Sequence, residues 1–350
     1  MMRSCKRPRR MTTTKSIVSS ASGSIVDVPG LLVGQYEMTG RLTGCSVVLA
    51  PEGAVCAVDV RGAAPGTRET DLLDPSNLVE QVHAVMLCGG SAFGLAAATG
   101  AMQWLEEQGI GFQTGYARVP IVPAAVLFDL PMVRPGDDPA IRPDAAAGYA
   151  ACAAASHCTP SAGNVGAGAG AMVGKLFGME RAMKGGVGHA SVQVGPWIVG
   201  ALIACNAIGD VLDPASGRIV AGARTPDGKG LLDTQQALLS GEAMLRPMPG
   251  TNTTIGVVGT NARLSKAQAR RLAVSAHDGL ARSIRPVHTT LDGDTLFALA
   301  TGSHDAAPDL MLLSVMAAQA TALATLNAIQ SASTVMANWG ICPAAADGPR

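Results

Sequence analysis

The stretch Gly250-Thr251-Asn252-Thr253-Thr254-Ile255-Gly256-Val257-Val258 places a hydroxyl residue behind a turn and directly before an apolar run. An internal Thr hydroxyl is a poor nucleophile. A Thr exposed as a new N-terminus carries its own base, an α-amino group of pKa about 7.7–8.0, so a cut before Thr253 would unmask an active site. Taken alone, Asn252-Thr253-Thr254 reads more simply as a turn and the Thr-rich start of a strand. Asp292-Gly293-Asp294 is similarly double: Asp-Gly suits a hairpin turn, yet two carboxylates at i and i+2 on extended backbone can orient an ammonium or a hydroxyl. The combination carries more than its parts. Lys175 after a Gly-rich loop, Asn206 at the end of a strand, Thr253 at the start of another and the pair Asp292 and Asp294 could together form an N-terminal-nucleophile site.

Other motifs fail in detail. Gly163-Asn164-Val165-Gly166-Ala167-Gly168-Ala169-Gly170 with Gly174-Lys175 invites a phosphate loop, but only three residues separate Gly170 from Gly174 and Leu176 follows the lysine. Gly166-x-Gly168-x-x-Ala171 fits a dinucleotide fingerprint loosely, without a convincing preceding strand or a well-placed acid. Gly89-Gly90-Ser91-Ala92-Phe93 resembles a nucleophile elbow with Phe93 where Gly is required, which leaves Ser91 as a helix cap. The six histidines offer no paired metal-ligand spacing, and the eight scattered cysteines read as reduced core residues.

The elements that would position these residues follow from local pattern. Ser46–Ala50 and Ala54–Val58 read as paired strands. Ala84–Leu87 ends at Cys88-Gly89-Gly90, after which Ser91 opens a helix to about Gln108, stopped by Gly109. Another apolar strand spans 120–130, a helix Ala145–Ser156, and two strands Ala190–Val194 and Trp197–Asn206. Residues 222–249 suggest a surface linker with a short helix near Gln235–Leu239. Strand Thr254–Thr260 precedes a helix opened by the capping box Ser265/Gln268 and running to about Ser283. Strand Thr295–Thr301 and a long helix from Leu310 to Ile329 complete the chain.

That last run is long enough to raise a transmembrane reading, but Gln319, Thr321, Thr325, Asn327 and Gln330 interrupt it, so a buried helix is expected instead. Charged residues are 15% of the 350 and the formal net charge is zero, which leaves no electrostatic footprint for nucleic acid or an anionic membrane. A small or neutral partner is expected. The cysteine usage and the lack of an apolar signal core point to the cytoplasm. Residues 1–24 read as a disordered basic tail, in which Met11 is a second possible start, and 25–350 as a single domain.

Several stretches in order resemble the P1 peptidases, the DmpA or S58 family of N-terminal-nucleophile aminopeptidases and amidases. They are Leu87-Cys88-Gly89-Gly90-Ser91-Ala92-Phe93-Gly94-Leu95-Ala96, Gly163–Gly168, Asn252-Thr253-Thr254-Ile255, Thr260-Asn261-Ala262 and Asp292-Gly293-Asp294-Thr295-Leu296-Phe297-Ala298. The resemblance implies an α/β four-layer α-β-β-α sandwich and a precursor that cuts itself between Asn252 and Thr253 into chains 1–252 and 253–350. It implies Thr253 as nucleophile, with Lys175, Asn206, Asp292 and Asp294 in the site; Asn206 is expected to donate to the oxyanion, Asp292 and Asp294 to position the Thr253 amine and Lys175, and no cofactor or metal is expected. Thr with Asp-x-Asp, where many family aminopeptidases have Ser with Ser-x-Glu, is similar to the branch that cleaves 6-aminohexanoate oligomers. Phe128 stands where some members carry a Tyr that assists the oxyanion. The implied substrate is a small peptide or oligoamide, and the implied assembly a homo-oligomer, a tetramer of processed heterodimers. An aminopeptidase of D- or β-type, and a non-catalytic small-molecule-binding protein of the same fold, stand as alternatives.

Overall fold

The computed structural model describes residues 23–241 and 251–348. Most of the expected basic tail and of the expected linker's second half therefore lie outside the described residues. Gly23 and Ser24 are already packed: both are buried, and the Ser24 N–H donates to the Asp27 carboxylate at 2.8 Å.

Nine strands form one mixed sheet. They are β1 (Leu32–Glu37), β2 (Gly44–Val60), β3 (Thr67–Arg68), β4 (Gln81–Cys88), β5 (Ala124–Val126), β6 (Gly186–Val194), β7 (Trp197–Asn206), β8 (Thr253–Ala262) and β9 (Thr295–His304). Their order is β6-β7-β8-β9-β2-β4-β5-β3, with β1 beside β2. Among the described residues five α-helices accompany them: α1 (Ala97–Glu107), α2 (Ala145–Ala153), α3 (Thr234–Leu239), α4 (Lys266–Ser283) and α5 (Leu310–Gln330).

Alternation of side chains along the strands builds the layers. Val47 and Leu49 of β2 pack with Ala97, Leu105 and Ala151 of α1 and α2. Their neighbours Val48 and Ala50 join an inner cluster with Leu202, Ala204, Ile255, Val257 and Phe297. The opposite face of β7 to β9, through Ile203, Val258 and Leu296, packs on Leu272, Leu280, Met316 and Ala320 of α4 and α5. Helix, sheet half, sheet half and helix follow in turn, the α-β-β-α order the family resemblance implies.

Strand β2 joins the halves and corrects one expectation. Ser46–Ala50 and Ala54–Val58 are not paired with each other but lie end to end in one strand of 17 residues. Strand β4 runs antiparallel past both pieces, Leu49 opposite Ala84 and Ala54 opposite Val82, so Pro51-Glu52-Gly53 is absorbed as a bulge instead of turning a hairpin.

Ser91 does not cap α1. Gly90 (φ 82°) turns the chain into a 3-10 stretch, Ser91–Ala96, and the α-helix starts only at Ala97. The Gly90 N–H is drawn away to the buried Asp129 carboxylate at 2.7 Å. Of the expected 120–130 strand, only Ala124–Val126 pairs, parallel to β4. Gly109 (φ 68°) ends α1 as expected, and the α4 capping box forms with both reciprocal bonds.

Parallel strands β8 and β9 require a crossover, which α4 supplies. Helix α5 is long and apolar enough to cross a membrane by length and composition, yet it packs on β6, β7 and α4. Two of its polar interruptions find partners inside the fold: the Asn327 amide donates to His189 O, and the Thr325 hydroxyl to Thr321 O.

The Gly163–Gly174 stretch is close-packed backbone tied down by Lys184, a buried lysine the sequence reading did not single out. Its ammonium donates to the carbonyls of Gly168, Ala171 and Gly185 at 2.8–3.1 Å, and burial lowers its pKa to about 8.

Candidate active site

The alternation that puts Ile255 and Val257 in the inner cluster puts Thr253 on the same face of β8. Antiparallel pairing sets it opposite Asn206, the last residue of β7. The parallel register of β8 with β9 continues through a bridge between Asn252 and Asp292. Asp292-Gly293-Asp294 is therefore not a hairpin turn. It is the approach to β9, laid alongside the Asn252–Thr253 bond.

Around that bond the geometry is tight. The Thr253 hydroxyl lies in hydrogen-bond contact with the Asn252 carbonyl oxygen. The same oxygen accepts the Gly293 N–H at 2.9 Å. An amide carbonyl thus sits beside a hydroxyl with its oxygen already held by a fixed backbone donor. A side chain at Gly293 would bring Cβ to 2.5 Å from Ala64 O and 2.9 Å from Thr253 Oγ, so only glycine permits this approach.

The two carboxylates hold different parts of the site. Asp294 accepts the Thr254 N–H on Oδ1 at 2.7 Å, and both the backbone N–H and the ring Nδ1 of His288 on Oδ2, at 3.1 and 2.7 Å. Asp292 accepts the Thr289 N–H at 2.9 Å and its hydroxyl at 2.6 Å. Burial, and then the Asp294 charge, push the Asp292 pKa up to about 6.

Lys175 enters from a short 3-10 turn after Gly174 (φ 70°). Its Nζ donates to Asn206 O and Thr251 O, each at 2.9 Å. Burial lowers its pKa to about 7, opposed chiefly by the charge of Asp292. Two donated bonds are what a neutral amine can supply, and the lone pair stays available.

All five expected site residues thus gather around the Asn252–Thr253 bond, in arrangements that differ partly from expectation. Neither carboxylate is hydrogen-bonded to Lys175, whose protons go to carbonyls. The Asn206 amide, expected to face an oxyanion, donates to Phe128 O at 3.1 Å while its Oδ1 accepts the Met172 N–H. The donor that reaches the Asn252 carbonyl is the Gly293 backbone. His288, Thr289 and Thr251 were missed because loop geometry sets their contacts, through a backbone carbonyl at Thr251 and through both backbone and side chain at His288 and Thr289. Only the nearness of His288-Thr289 to the Asp pair hinted at them.

Residues 23–341 match the sequence pattern of peptidase family S58. The chain belongs to that family. It is 47% identical to an uncharacterized aminopeptidase of Mycobacterium leprae, over 83% of this chain and 82% of that one. It is 33% identical to the 6-aminohexanoate-oligomer endohydrolase of a Kocuria species, over 80% and 75% of the two chains. The fold is shared with a Burkholderia beta-aminopeptidase, at TM-score 0.68, 22% identity and coverage of 95% and 93%. It is shared too with the L-aminopeptidase D-Ala-esterase/amidase of Ochrobactrum anthropi, a variant among the Ntn-hydrolase fold, at TM-score 0.67, 18% identity and coverage of 95% and 93%. This S58 chain is a hydrolase of amide bonds.

Proposed function

We propose that this S58 hydrolase matures by cutting its own Asn252–Thr253 bond and then uses Thr253 as an N-terminal nucleophile on short peptides or oligoamides. The observation that carries the reading is the Thr253 hydroxyl against the Asn252 carbonyl, with the Gly293 N–H on that carbonyl's oxygen. In the uncut chain the Thr253 nitrogen is an amide and cannot act as base. Lys175, neutral above about pH 7, takes that role.

Thr253 Oγ attacks the Asn252 carbonyl carbon as its proton passes to Lys175 Nζ, and negative charge on the oxygen is met by the Gly293 N–H. The C–N bond breaks, the proton returns to the departing Thr253 nitrogen, and an ester joins Asn252 to Oγ. Water hydrolyses the ester, leaving an Asn252 carboxylate and a free Thr253 amine. A substrate amide repeats the sequence: its acyl group is carried on Oγ, its amine leaves protonated, and water releases the acid. Asp294 fixes the Thr254 N–H beside the nucleophile. Asp292 offsets the charge that Lys175 gains. Asn206 fixes the Phe128 and Met172 backbone, and its amide becomes an oxyanion donor if substrate displaces Phe128 O.

The uncut site is closed, with Thr253 only 3% exposed, so departure of the Asn252 end makes room for substrate. The 47% identity to a relative named an aminopeptidase favours release of single N-terminal residues over internal cuts. End-blocked oligoamides separate the two, since an aminopeptidase leaves them intact. The reading extends to a cytoplasmic, homo-oligomeric enzyme.

Intact mass and denaturing electrophoresis test the central step. Wild type is expected as fragments 1–252 and 253–350, and Thr253→Ala as one uncut, inactive chain. A full-length wild-type band that hydrolyses amides would sink the proposal.

A further inference from the structure

Asp294 grips the cut site with one oxygen and is itself gripped by the other. Its Oδ1 holds the Thr254 N–H at 2.7 Å, one peptide beyond the nucleophile, and its Oδ2 receives both donors of His288. We propose that His288 is a positioning residue for amide hydrolysis: by clamping Asp294 it holds the Thr253–Thr254 peptide, and so the Thr253 hydroxyl, in line with the carbonyl attacked. This rests on Thr253 being the nucleophile.

Three observations converge on the clamp. His288 has φ 55°, a left-handed backbone that residues other than glycine rarely adopt. With that backbone its N–H and ring Nδ1 meet the same carboxylate oxygen. Behind it stands His277 of α4, ring centroids 4.8 Å apart and planes at 71°, anchored through Nε2 to Asp59 O at 3.0 Å. Finally, the far ring nitrogens, His288 Nε2 and His277 Nδ1, are buried without a hydrogen-bond partner.

The partners assign the protons. Nδ1–H of His288 faces a carboxylate; Nε2–H of His277 faces a carbonyl, so the unpartnered Nδ1 of His277 carries the lone pair. Burial holds His277 neutral, its pKa lowered to about 4. His277 is then an uncharged wedge that keeps the His288 ring against Asp294. No hydrogen bond joins His288 to Thr253. It acts through Asp294, as an orienting partner acts on a first-contact ligand.

The test compares full-length His288→Ala, His288→Asn and His288→Gln for self-cleavage rate and for kcat and KM on a peptide amide, with folding checked by circular dichroism. Asn places a carboxamide N–H where Nδ1 stands and tolerates left-handed backbone; Gln carries its donor one bond too far. His288→Ala and His288→Gln are expected to slow the cut and kcat by about 10²-fold, the scale of a small misplacement of reacting groups, with KM nearly unchanged. His288→Asn is expected to recover most of the rate. If His288→Ala does not fold, the Asn and Gln pair decides. The clamp is overturned if folded His288→Ala keeps the wild-type rate, or if Asn is as slow as Gln. A Thr253→Ala chain that still cuts and turns over overturns the nucleophile reading instead, whatever His288 does.

Discussion

Gly293 serves the site by what it lacks. Its N–H reaches the Asn252 carbonyl only because no Cβ stands between Ala64 O and Thr253 Oγ. Gly293→Ala must push the Asp292–Asp294 segment off that carbonyl, and a loss of about 10²–10³-fold in self-cleavage is expected, as for removal of an oxyanion donor. Timed electrophoresis of freshly made chain reads it. Lys175 gives a second prediction. Because burial lowers its pKa to about 7, the neutral fraction, and with it the cutting rate, rises as pH passes upward through about 7. Lys175→Met should flatten that profile and slow the cut by about 10²–10⁴-fold, the worth of a general base. Stability follows the same proton. Between about 7 and 10.5 the unfolded chain holds a proton at Lys175 that the folded chain has lost, so this group's contribution to stability rises with pH across that window. Thr253, Lys175 and the Asp pair were legible as a candidate site only in combination and through the family resemblance, since each local pattern alone reads as a turn, a loop or the start of a strand. His288 was not, since its contact with Asp294 depends on a left-handed backbone angle that no residue type there signals.

At the scale of elements, legibility followed how local the deciding interaction was. The Ser265/Gln268 box is settled within four residues, and α4 begins where the pattern says. The β6–β7 hairpin is equally local, closed around Gly195. Pro51-Glu52-Gly53 reads as a turn in isolation and becomes a bulge because β4 passes along both sides of it. Asp292-Gly293 fails as a hairpin for the same kind of reason: β9 is claimed by β8 and β2, so the chain before it has no strand to fold back on. Ser91 caps no helix, because Gly90 before it, its N–H held by Asp129 far away in sequence, turns the chain into a 3-10 stretch. The α4 cap offers a clean separation of stability from chemistry. Ser265→Ala should cost about 1 kcal/mol, seen as a lower urea midpoint, while the Asn252–Thr253 cut proceeds at the wild-type rate.

For the whole molecule, the proposed cut falls just before a central strand. Chain 253–350 would contribute β8, β9, α4 and α5, with β8 hydrogen-bonded between β7 and β9, and β9 in turn to β2. Its C-terminal end is also tied to the other fragment, through Pro343 O to the Lys184 N–H and the Asn338 N–H to Val133 O. The fragments should therefore elute together from a sizing column and part only in denaturant. Placing β8 inside the sheet also makes the order of events matter. An uncut chain brings β7 and β8 together as parts of one molecule, so its folding rate is independent of dilution. Once cut and unfolded, the same two strands belong to separate solutes that must meet by diffusion, and recovery of activity should fall as the protein is diluted. Cleavage would then convert a reversible fold into one that is assembled once and kept by its unfolding barrier.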